Sequence, residues 1–136
     1  DAKEHPVTIG STTRLTKMDI YPRLANAMIG TKFRVINGYE GSGAINVAME
    51  RGEIQGVGSG YWESFVQQKS EWVAAKKVIP LFQVEFERYK TLPDTPTLLE
   101  LVDTDEQREL VRHACAASRL RVRRCASLRQ GRSRRC

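Results

Sequence analysis

The stretch FRVINGYEGSGAINVAMERGEIQG, residues 33–56, decides the fold. It opens with apolar and β-branched residues from Phe33 to Ile36, which read as a short buried strand. Glycines follow at 38, 41 and 43. Ile45, Ala48 and Met49 then share one face of a helix that Ser42 or Gly43 opens and Gly52 closes. Ile54 to Val57 is a further short strand bounded by glycines. Strand, glycine turn, helix and strand in so short a span make a βαβ crossover, which demands parallel strands.

The same alternation extends outward. Pro6 and Val7 to Gly10 predict an earlier strand. Tyr21, Leu24, Ala25 and Met28 fall at i, i+3, i+4 and i+7, with Asp19 as N-cap, Pro22 in the first turn and Gly30 as the stop. Downstream, Ser59 is placed to cap a helix with an inward stripe of Trp62, Phe65 and Val66, continuing to Trp72 and Val73. Val78 to Val84 reads as a fourth strand. Thr95 and Pro96 then start a short helix, and Thr104 with Gln107 forms a capping box before a last helix that ends near His113. The expectation is an α/β fold, a three-layer lobe with a mostly parallel sheet flanked by helices.

Charge and cysteine divide the 136 residues in two. The net charge is +6, but eight arginines and no acid lie between Ser118 and Cys136, so the rest carries 14 basic against 16 acidic residues. Cys115, Cys125 and Cys136 fall in the same terminal region. The domain reading is a body over residues 1–114 and a separate basic tail over 115–136. No run approaches the roughly 18 apolar residues of a membrane span, and no leader-like segment opens the chain.

In a parallel sheet, ligands sit beyond the carboxyl ends of the strands. Three loops there are rich in glycine and hydroxyls: Gly10 to Thr13, Gly38 to Gly43, and Gly58 to Trp62. Close backbone amides and helix N-termini suit an anion, and a small carboxylate better than a nucleotide. Each loop alone also reads as a plain turn with a helix cap. The phosphate motifs fail, since GYEGSG lacks the Lys-Ser/Thr pair and its spacing is not GxGxxG. His5 and His113 have no partner at metal-ligand spacing, the body has no cysteine nucleophile, and no GxSxG elbow occurs. No enzyme, metal or cofactor is expected. Tyr39 and Tyr61, beside glycine loops, are the aromatics set apart from core duty.

Taken in order, GTKF, GY.G, INVAMERGE, LPD.P and TDEQR over residues 6–114 resemble the tripartite tricarboxylate transporter receptors, the Bug-type periplasmic solute-binding proteins. The resemblance covers the second of two α/β lobes, as in type II periplasmic binding proteins. It implies a periplasmic protein that captures small organic acids, di- or tricarboxylates, for the membrane subunits of a transporter, without chemistry. The implied ligand-binding residues are Gly10, Ser11, Thr12, Thr13 and Thr16 in the first loop, Gly38, Tyr39, Gly41 and Ser42 in the second, and Gly58, Ser59 and Tyr61 in the third. Where relatives tend to show a run such as GATGAGS, this chain has GSTTRLTK, which adds Arg14 and Lys17. A single lobe is expected to bind weakly, and its uncovered face to favour a homo-oligomer.

The tail, CAASRLRVRRCASLRQGRSRRC, does not resemble the family. Arginine, alanine, serine and cysteine without lysine or acid are what a GC-rich gene yields out of frame, and a frameshift is the reading. No specific nucleic-acid partner is expected. The alternative is an interaction module in which the arginines attract nucleic acid or an anionic surface through counterion release.

Overall fold

Alternation along Val7–Ser11 (β1) puts Ile9 and Ser11 on one face and Gly10 on the other. The computed structural model describes residues 2–60 and 62–130, without the side chains of residue 64 and of residues 118–130. In it, Phe33–Asn37 (β2) pairs with β1 from Val7↔Phe33 to Ser11↔Asn37. Gly56–Val57 (β3) pairs on the other side through Ile9↔Gly56 and Gly10↔Val57. All pairings are parallel and the order is β2-β1-β3, so the α/β class holds.

Lys17–Ile29 (α1) links β1 to β2, and Ser42–Glu50 (α2) links β2 to β3. The two crossovers step in opposite directions across the sheet, so right-handed connections put their helices on opposite faces. A β-carbon on Gly10 would lie 2.6 Å from Ile54 Cδ1 and 3.2 Å from Ile45 Cγ2. That residue is glycine because the Ile45, Ala48 and Ile54 cluster sits directly on β1. Met18, Tyr39, Met49 and Val57 pack around the cluster. Toward α1, Asn26 ties the start of β2: its Nδ2 donates to the Phe33 carbonyl, and its Oδ1 accepts from the Phe33 amide and the Thr31 hydroxyl, each at 2.8 Å.

The chain divides into two compact units, Asp1–Ile79 and Pro80–Cys136. The first closes with Trp62–Gln68 (α3) and Ser70–Ala74 (α4). One continuous helix was expected there, but Lys69 breaks it with φ −133° and ψ 43°. The Lys69 ammonium pairs with Glu50 and lies 4.8 Å from the Trp72 ring centre. The Phe65 ring then stacks on Trp62 and meets Trp72 edge-on, with ring centres 6.2 and 6.4 Å apart.

The second unit contains Leu98–Leu101 (α5) and Asp105–Gln130 (α6). Gln83 is its hub. The side-chain amide donates to the Leu92 and Thr95 carbonyls, its oxygen accepts from the Tyr89 amide, and its backbone bonds Pro96 and Leu98. The fourth strand expected over residues 78–84 does not form; only an isolated bridge, Gln83↔Thr97, remains. Pro80 interrupts that run by removing a ladder donor. The α5 cap is Thr97, two residues past the expected Thr95, because Thr97 and Glu100 complete a capping box. The Thr104–Gln107 box does form. The last helix does not stop near His113. Alanine, arginine and leucine carry it to Gln130, with no glycine or proline before Gly131.

Arg88 grips Glu100 through Nε at 3.0–3.1 Å and Nη2 at 2.7 Å, and its Nη1 donates to the Pro93 carbonyl. Together with the Thr97 amide, Arg88 lowers the Glu100 carboxyl from 4.5 to about 2. A carboxyl lowered by folding stabilises the folded state above its ordinary value, and that contribution fades as pH falls toward 2. An NMR titration of the Glu100 side chain is expected to show a midpoint near 2. In Arg88→Gln the midpoint returns toward the ordinary carboxylate range.

Candidate functional site at the carboxyl edge of the sheet

Parallel strands end together, so the segments after Ser11, Asn37 and Val57 emerge at one edge. Backbone bonds hold them there. The Gly38 amide donates to the Thr12 carbonyl at 2.9 Å, the Tyr39 amide to the Ser11 carbonyl at 3.3 Å, and the Gly58 amide to the Gly10 carbonyl at 3.5 Å. The three loops singled out in the sequence therefore share one edge.

Their residues do different things. Gly10 is buried inside β1 and serves packing against α2. Ser11 is buried, and its hydroxyl donates to the Thr13 carbonyl at 3.3 Å and meets the Thr16 hydroxyl at 3.4 Å. Thr16 also donates to Thr13 O at 2.8 Å and stands as the N-cap of α1. These two side chains close the loop on itself. Thr12 is half-buried and Thr13 exposed. Tyr39, set apart from the core in the sequence, packs against Ile45, Ala48 and Ile54 instead. Ser59 is half-buried at the third loop, and Tyr61 lies outside the described residues.

The glycines sort by cause. Gly38 has φ +115°, a conformation that side chains rarely adopt. Gly58 is fixed by space: a β-carbon there would fall 1.9 Å from the Met18 carbonyl oxygen and 2.8 Å from Pro22 Cγ. Pro22 carries no N–H, so the Met18 carbonyl has no helical donor four residues on, and the third loop sits against it. Gly41, with φ 174°, and Gly43 have neither cause; nothing lies within 4 Å of an added β-carbon at either. They flank Ser42 at the start of α2, where no side chain caps the helix.

Electrostatics at the edge centre on Asp19, a residue the sequence assigned to a cap. It lies in the first turn of α1 with 4% of its surface exposed. Its carboxylate accepts from Arg23 Nε at 2.8 Å, the Leu15 amide at 3.2 Å and Asn37 Nδ2 at 3.2 Å. The Arg23 hydrogen bond, with those of Leu15 and Asn37, holds its carboxyl below the usual range despite burial. Only the arginine at i+4 signalled this network in the sequence; nothing marked Asn37, whose own Oδ1 is buried without a partner among the described residues. Arg14, Leu15, Asp19 and Arg23 line a depression of about 420 Å³. Leu15 is 79% exposed and held at φ 63° by its amide bond to Asp19.

Two substitutions test this geometry. Gly58→Ala forces backbone apart and is expected to cost more than about 3 kcal/mol in urea unfolding. Leu15→Gly removes a left-handed leucine that packs little and is expected to stabilise the fold by about 1 kcal/mol, read in the same assay. Comparison of the chain with family models, curated proteins and solved structures finds no match.

Proposed function

We propose that the carboxyl edge of the sheet is one wall of a site for a small carboxylate, as in the second lobe of the tripartite tricarboxylate transporter receptors. The observation that carries this reading is the start of α2. The first amides of a helix have no internal acceptor, and here those of Ser42, Gly43 and Ala44 face the strand-end edge with no side-chain cap. Gly41 and Gly43, which the chain's own packing does not require, leave them open to close approach. Ser42 and Thr13 add exposed hydroxyls at the same edge.

Loop one supports the resemblance in a second way. Aligned on GSTTRLT, the family's GATGAGS places a glycine where Leu15 stands, and Leu15 holds the left-handed conformation that glycine favours. On this reading the protein works in the periplasm, delivers a di- or tricarboxylate to membrane transporter subunits, and performs no chemistry. A facing wall completes the cage and excludes water.

Titration of the labelled chain with malate, citrate and glutamate tests the site. Amide shifts are expected at Ser42, Gly43 and Ala44, with a dissociation constant on the order of millimolar. Gly43→Ala is expected to raise stability by about 0.5 kcal/mol through helix propensity while weakening those shifts. Unchanged α2 amides at saturating acid, or undiminished binding in Gly43→Ala, would overturn the assignment.

A further inference from the structure

The continuation of α6 to Gln130 gives the arginines a helical spacing. From Leu110 to Gln130 the helix contains no carboxylate, whereas its first turns hold Asp105, Glu106 and Glu109. There Arg108 pairs with Asp105 at 3.0 Å and Arg112 with Glu109 at 3.3 Å. Beyond, Arg119, Arg121, Arg123, Arg124 and Arg129 have no acid within one turn to pair with. Arg119 with Arg123 and Arg121 with Arg124 stand at i,i+4 and i,i+3, spacings at which like charges repel. A helix built this way is relieved by a polyanion.

We infer that residues 118–130 of α6 form a sequence-independent binding helix for duplex nucleic acid. The distribution of the arginines selects this partner over an anionic membrane. At 3.6 residues per turn the five arginine positions surround the axis, and the widest arc between them is about 100°. That arc holds only Leu120 and Ser127. A helix lying on a bilayer needs an apolar face to bury, and none is left. A helix in a groove has phosphates on both sides, which suits charge all round. No aromatic residue lies between Ser118 and Gln130, so there is no platform on which single-stranded bases stack. Contact is with the backbone, and the segment spans about 18 Å of helix. This inference is independent of the carboxylate site.

The test uses the full chain, a short fluorescent DNA duplex and a salt series read by anisotropy. Five phosphate contacts predict a log–log salt slope of about −4.5, a loss of roughly five hundred-fold between about 50 and 200 mM. Replacing Arg119, Arg121, Arg123, Arg124 and Arg129 together by Gln, a good helix former, is expected to abolish the salt-dependent binding. Replacing all five by Lys is expected to retain it. Circular dichroism of both variants checks that the helix persists. Absence of duplex binding at low salt, an unchanged slope in the Gln variant, or binding confined to phosphatidylserine vesicles would each overturn the inference.

Discussion

A buried carboxylate must be met by donors, and at the edge of this sheet that requirement binds three segments together. Asp19 lies in the first turn of α1, takes the Leu15 amide from the loop before it, Arg23 from the next turn and Asn37 from the end of β2. Removing any one leaves a charge in a poorly solvated place, so loop, helix and strand hold their relative positions. The electrical consequence matters as much. The positive end of α1 is already answered by the protein's own anion, and Asp19 repels a second one nearby. Of the two long helices that start at this edge, only α2 begins without an acid in its first turn.

The third loop is held by shape. Pro22 in α1 withholds the donor that the Met18 carbonyl would receive, and Gly58 rests against that exposed oxygen with no room for a side chain. Gly10 plays the matching part beneath α2, letting Ile45 and Ile54 settle on the strand. Two glycines that suggested ligand contact in the sequence are thus explained by packing. The distinction is useful because it isolates Gly41 and Gly43, for which the packed chain offers no explanation of that kind.

The part of the fold read correctly from sequence was the part carried by periodicity. Phe33 to Asn37, Ser42 to Glu50 and the Gly30 stop announce themselves through apolar spacing and glycine. The misreadings came where a side chain competes with local pattern. Val78 to Val84 has strand composition, but the Gln83 side chain binds Tyr89, Leu92 and Thr95, and its backbone makes a single bridge opposite Thr97 in place of a longer ladder. The terminal helix runs on through the change of charge to Gln130, because helix propensity and not charge sets where it stops. Of the site, strand topology gave the location, whereas the closed hydrogen bonds of Ser11 and Thr16 and the core packing of Tyr39 depend on three-dimensional neighbours that spacing does not encode.

Magnitudes then decide what one wall can achieve. A carboxylate at three helix amides gains charge-assisted hydrogen bonds of about 1.5–3 kcal/mol each before the loss of its own hydration is counted in full. Association from dilute solution costs at least about 4 kcal/mol, and an edge open to water screens the helix charge. The surplus is small. Covering the ligand from the other side changes both terms, since it adds donors and lowers the dielectric in which the first set acts. A wall of uncapped amides with spare glycines is therefore poorly suited to hold an acid alone. It gains affinity only when something closes over it, which is why the chemistry of α2's start fits a two-sided capture device better than a self-sufficient pocket.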